Sequence, residues 1–159
     1  MNKTAIKETL TSMKEFFDRS TRVLEETDSG FAPKKEMFTA AQQVAHAAQT
    51  IEWFIQGIFA PAGFDMNFER LDKEVRKVTS LNAARKWMER ACAAAIKASE
   101  THTEGEWAEL LPENPIMGAV PRYAVLRAMT DHTAHHRGAL TVYSRLLGKV
   151  PPMPYADNM

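Results

Sequence analysis

Four long stretches of this chain carry apolar residues at intervals of three and four, and glycine or proline closes most of them. That period belongs to helices that each bury one stripe. The first stretch runs from about Thr4 to Glu26, with Leu10, Met13, Phe16, Phe17, Ser20, Val23 and Leu24 on its stripe; Asp28-Ser29-Gly30 and Pro33 stop it. The second runs from about Lys35 to Phe59, its stripe passing through Phe38, Ala41, Val44, Ala45, Ala48, Ile51 and Ile55 to Phe59, with Pro61-Ala62-Gly63 beyond. The third opens at Ser80, a residue type that caps helices, and continues to about Glu100 through Leu81, Ala84, Trp87, Met88, Ala91, Ala95 and Ile96. The fourth begins at Pro121 and ends before Gly148, a pairing that follows the preference for proline in the first helical turn and glycine just past the last.

Two connections are long. Phe64–Thr79 is read as a connection with a short helix over Leu71–Val78, and the stretch holding Gly105, Pro112, Pro115 and Gly118 as irregular. Loops of that length are uncommon unless they cover a site or move. Four amphipathic helices need partners for their stripes, so the expected architecture is all-α: a four-helix bundle forming a single domain over residues 1–159, with at least one long crossover. The tail after Lys149 is expected to be irregular.

Lys+Arg and Asp+Glu are equal at 20 each, so there is no basic excess to neutralise phosphates and nucleic acid is not an expected partner. A net charge of zero also removes one brake on self-association. The single cysteine, Cys92, has no partner for an intramolecular disulfide and lies in an alanine-rich run, as small core filler does. Charged residues interrupt the first 20 positions, so neither a signal peptide nor a membrane span is expected, and the expected location is cytoplasmic.

Three of the five histidines fall in Asp131-His132-Thr133-Ala134-His135-His136. His132 and His136 are four apart and share the stripe of Leu126, Met129, Thr133, Leu140, Tyr143 and Leu147, so both rings point into the bundle about one turn apart. Buried ring nitrogens need partners. A divalent metal would serve both, and His46, beside the core positions Ala45 and Ala48 of the second helix, is the candidate third ligand. Gln42, Gln43, Gln49 and Thr50 give that helix a polar edge suited to a wet cavity wall. Three imidazoles leave a coordination position open, the pattern of catalytic rather than structural zinc. Thr133 stands where His-Glu-x-x-His peptidases carry their glutamate, so the helix brings no general base. The Glu-x-x-His pairs of di-iron bundles are absent too.

The remaining candidates rank lower. His135 is read as flanking the site and His102 as facing solvent. Trp53, Trp87, Trp107 and Tyr143 are read mainly as core, and Arg137 as a solvated face. No glycine loop matches a nucleotide motif.

The run His132-Thr-Ala-His-His136-Arg-Gly-Ala-Leu-Thr-Val-Tyr143, followed by Leu146-Leu147-Gly148 and Val150-Pro151, resembles the last helix of the DinB-like family of metal-binding four-helix bundles. The layout of four helical segments, with a lone histidine in the second, extends the resemblance over nearly the whole chain. It implies a bundle with a long crossover, commonly a homodimer, and one divalent metal per chain, usually nickel or zinc, held by His46, His132 and His136. The family often has Gln after His-Arg-Gly; Ala139 here lacks that hydrogen-bonding group.

Relatives of this fold include S-transferases and isomerases that use small thiols. The resemblance therefore implies, as the leading reading, a metal-dependent S-transferase joining a low-molecular-weight thiol to a small electrophile. A metal with an open position lowers a thiol's pKa. Fold alone does not fix a reaction. The alternatives are a non-catalytic metal-binding stress-response dimer and a metal-dependent hydrolase with Glu52 or Asp131 as base.

Overall fold

A computed structural model describes residues 1–156. The helices are α1 (Lys3–Thr21), α2 (Ala40–Phe59), α3 (Phe68–Arg76), α4 (Leu81–Thr101), α5 (Glu104–Ala108) and α6 (Val125–Leu146), with 3₁₀ turns at Glu26–Asp28 and Arg122–Ala124. The described residues contain no strand, only an isolated bridge between Leu110 and Pro121. None of the described helices is long and apolar enough to cross a membrane.

The four long helices are those expected, and local capping moves their ends. α1 stops at Thr21, short of Glu26, because Arg85 of α4 donates to the Thr21 and Leu24 carbonyls at 2.7 and 3.4 Å. These are acceptors that the end of a helix leaves unpaired. α2 begins at Ala40 rather than Lys35 because Thr39 and Gln42 form a reciprocal capping box: Thr39 Oγ1 accepts from the Gln42 amide, and Gln42 Oε1 accepts from the Thr39 amide at 3.0 Å. α3 starts at Phe68, ahead of the expected Leu71, because Asn67 caps it. Ser80 caps α4 as expected. The stretch read as irregular contains α5, which a second capping box of Thr103 and Glu106 initiates. α6 ends at Leu146, and Gly148 takes a φ of +75°, a left-handed conformation that suits glycine. Residues 149–156 form no regular element, and the last three positions of the expected tail lie outside the described residues.

α1 packs against α4 and α6, and α2 packs against the same two helices. The order around the bundle is therefore α1, α4, α2, α6. The successive long helices α1 and α2 lie on one diagonal, and α4 and α6 on the other. Only α2 and α4 are both consecutive and adjacent, so two of the three connections cross the bundle where at least one was expected.

The core runs through Ile6, Leu10 and Phe17 of α1, Val44 and Ile51 of α2, Met88 of α4, and Met129 and Leu140 of α6. Both α2 and α4 bury small residues: Ala41, Ala45 and Ala48 on the first, Ala84, Ala91, Cys92 and Ala95 on the second. Cys92 is the core filler expected of it, and burial pushes its thiol up to about 12.

The short α3 packs on α2. Three side chains from one edge of α2 hold it down. Gln42 donates to the Arg76 carbonyl at 2.9 Å, Gln49 to the Leu71 carbonyl at 3.0 Å, and Trp53 Nε1 to the Asp65 carbonyl at 2.7 Å. The polar edge of α2 thus clips a helix in place as well as lining cavities.

Candidate metal centre

α6 turns His132 and His136 inward one turn apart, with their Nε2 atoms 3.3 Å from each other. α2 brings His46 edge-on to both rings, at centroid distances of 5.1 Å to His132 and 5.0 Å to His136. One potential ligand nitrogen from each of the three rings lies within 4.8 Å of the others. A tetrahedral ion with metal–nitrogen distances of about 2.0–2.1 Å separates its imidazole nitrogens by about 3.3 Å. The two α6 histidines already meet that spacing, and His46 needs only a small approach. The sequence-derived candidates His46, His132 and His136 therefore converge in space.

The electrostatics suit a cation. Burial chiefly, and then the neighbouring histidines, push His132 down to about 4 and His136 to about 3. Burial also lowers His46, against the opposing contact with Gln49. Neutral rings are the form that coordinates a metal. Nδ1 of His46 and Nδ1 of His132 are buried without a hydrogen-bond partner, as is the Thr133 hydroxyl. Buried polar atoms normally have partners; His46 and His132, which lack one at Nδ1, are two of the three converging rings.

His136 is held from behind. Its Nδ1–H donates to Gln43 Oε1 at 2.5 Å, Gln43 Nε2 donates to the Tyr143 hydroxyl at 3.3 Å, and that hydroxyl donates to the Phe38 carbonyl at 2.8 Å. The chain fixes one tautomer of His136 and presents its Nε2 lone pair to the cluster. Tyr143 is 1% exposed, so it is a core residue as read from its stripe, and its hydroxyl also steadies the site.

The histidines open into a cleft of about 670 Å³ lined by Phe38, Gln43, Phe54, Ala128, Asp131 and His135 as well. His135 is exposed and lies edge-on to His136 at 5.0 Å, the flanking position expected of it. Glu52, one of two candidate bases, is not at the site: its carboxylate accepts from Trp87 Nε1 at 2.7 Å. Asp131 does line the cleft. Trp53 borders a neighbouring cavity, whereas Trp107 is fully buried in the core.

Two surface readings need correction. His102 does not simply face solvent. It caps the end of α4, stacks on Phe59 at 3.6 Å and bonds Glu106 at 3.1 Å. Arg137 is not merely solvated, since its guanidinium lies 5.9 Å from the Phe16 ring and 6.0 Å from the Tyr155 ring, bridging α1 and the tail. Of the other lining residues, Gln43 was expected on a polar cavity wall and is there, Phe38 was expected on the core stripe, and Phe54 and Ala128 were not singled out; the bond of Gln43 to His136 was not foreseen. Gln43 had one available signal: it precedes His46 by three positions, on the same helical face.

No curated protein matches the chain. The DinB family model matches residues 2–159, and the chain therefore belongs to the DinB family.

Proposed function

We propose that His46, His132 and His136 hold one divalent metal ion per chain, zinc or nickel, and that the protein is an S-transferase joining a low-molecular-weight thiol to a small electrophile. The observation that carries the proposal is the convergence of three neutral imidazoles on an open cleft rather than a sealed core. Three imidazoles suit zinc, nickel, copper and iron alike; zinc and nickel are favoured by the family resemblance. When bound, such an ion supplies an open position that binds a thiol and lowers its pKa.

The chain's own groups do the rest. Gln43 keeps the Nδ1 proton on His136, so that ring offers only its Nε2 lone pair. Phe38, Phe54 and Ala128 bring apolar surface to the cleft and limit the water around the reacting atoms. Asp131 and His135 form its polar side, which opens to the solvent that takes the thiol's proton. The sulfur lone pair then forms the new C–S bond as the leaving group departs with its bonding electrons. No oxidant or reductant is needed.

The presence of Asp131 at the cleft favours one second reading, metal-assisted hydrolysis with that carboxylate as base. A closed site would have favoured a non-catalytic metal-binding dimer, and the open cleft weighs against it. Thiol disappearance should be followed with protein carrying stoichiometric metal, across several thiols and alkyl or aryl halides. We expect consumption that tracks metal occupancy and survives Asp131→Asn. Thiol loss absent from every pairing would overturn the transferase reading, and ester hydrolysis abolished by Asp131→Asn would establish the second. Self-association into a homodimer belongs to the same proposal, and light scattering on the metal-loaded protein tests it.

A further inference from the structure

A second cavity, of about 360 Å³, lies between α2 and α3 and has His46 and His132 among its lining residues. That volume falls within the range of small-molecule sites. His46, Phe54 and His132 line this chamber and the open cleft alike, so the histidines stand between two spaces of different character. The cleft offers Asp131, His135 and Gln43. The chamber offers Trp53, Phe54, Phe68 and Leu71.

The chamber's polar groups are almost all engaged already by the protein. Gln49 spends its amide on the Leu71 carbonyl and on Glu74, Trp53 spends its indole N–H on the Asp65 carbonyl, and Asp72 accepts from Arg76 Nε at 2.7 Å. Thr50, His46 and His132 are the remaining polar lining residues, and the two histidines are the groups assigned to the ion. What is left for a ligand is aromatic and aliphatic surface. One of these lining residues, Trp53, is itself packed by an aromatic ring outside the lining. Phe64 sits 4.8 Å from Trp53, and it reaches there only because position 57 is glycine; a Cβ at Gly57 would come within 2.2 Å of the Phe64 ring. Phe68 is 52% exposed at the chamber, an aromatic side chain that folding alone does not require to be there.

We infer that this chamber binds an uncharged apolar molecule, a single aromatic ring or short alkyl group, beside His46 and His132, the histidines that it shares with the polar cleft. Calling that molecule the electrophile, with the thiol in the cleft, rests on the transferase reading above; its binding does not. Charged ligands are disfavoured because, with no ion at the histidines, the chamber has no free counter-charge, Asp72 being paired with Arg76, and would strip their hydration.

The test is titration of the chelator-treated, metal-free protein with toluene, and separately with benzoate, which has the same ring and a negative charge. The readout is the Trp53 indole N–H cross-peak in ¹H–¹⁵N spectra, assigned with Trp53→Phe. Toluene should shift it saturably, and benzoate should bind at least tenfold more weakly. Leu71→Asp should weaken toluene at least tenfold. Phe68→Asp places a residue suited to the first turn of α3 at an exposed position and should do the same with the fold intact. No saturable shift with toluene, equal binding of benzoate, or wild-type affinity in the folded Phe68→Asp variant would overturn the assignment. Toluene binding without any thiol turnover would sink only the transferase reading. Turnover confined to polar electrophiles, without toluene binding, would sink only the chamber.

Discussion

Gln43 of α2 accepts the Nδ1 proton of His136 of α6 at 2.5 Å, and this one bond decides which nitrogen of His136 faces the other two histidines. Groups that orient a metal-binding histidine from behind typically contribute about 10–100-fold to metal affinity. Gln43→Leu, which keeps the bulk and removes the acceptor, should lose affinity in that range when the protein competes with a chromogenic chelator. Tyr143→Phe removes only the next link and should lose less. Equal affinity in wild type and Gln43→Leu would show that the relay does not orient the ring.

Acid should destabilise the metal-free protein through the same histidines. Burial holds His132 near 4 and His136 near 3 and lowers His46 as well, whereas an unfolded chain titrates its histidines near 6.5. Between those values the unfolded chain binds protons that the folded chain does not. Their contribution is therefore intact above about pH 6.5 and is lost as the pH falls toward 4. Urea unfolding at pH 7.5, 5.5 and 4.5 should show this slope, and His132→Leu and His136→Leu should each flatten it. An unchanged slope in both variants would mean that the rings are not held neutral.

Metal should stabilise the fold by mass action. At a free concentration 100-fold above Kd the gain is about 2.7 kcal/mol, or roughly 5–10 °C in Tm for a domain of this size. Thermal scans with added zinc or nickel and with chelator should bracket that shift, and His46→Ala should abolish it. An identical Tm with chelator and with excess metal would argue against a site linking α2 to α6.

Gly57→Ala should destabilise the protein by about 1–3 kcal/mol, the usual cost of forcing a methyl into packed surroundings, because the new Cβ meets the Phe64 ring. The Trp53 indole signal should move in the same variant, since Phe64 packs against Trp53. Wild-type stability in urea would show that Phe64 yields without cost.

What could be read from the sequence was whatever repeats along one helix. The stripes of α1, α2, α4 and α6, the Ser80 cap and the Gly148 stop are local signals, and so is the inward pairing of His132 with His136. Two capping boxes, Thr39 with Gln42 and Thr103 with Glu106, were local too. They would have corrected the start of α2 and revealed α5. Other features depend on partners distant in the chain. Gln43 reads as one more polar residue until Tyr143 and His136 are beside it, and Gln49 reads as cavity wall until the Leu71 carbonyl arrives above it. Glu52 looks available as a base until Trp87 takes its carboxylate. Which helices share a diagonal was equally hidden, because it is settled by the mutual fit of four stripes and not by any one of them.

Metal content per chain, measured by mass spectrometry on untagged protein and on His46→Ala, His132→Ala and His136→Ala, bears most directly on the account. It predicts one zinc or nickel ion per wild-type chain, with each variant folded and depleted. Wild-type protein that takes up no metal when zinc or nickel is supplied, or variants that all retain it, would contradict the claim that these three rings together hold an ion.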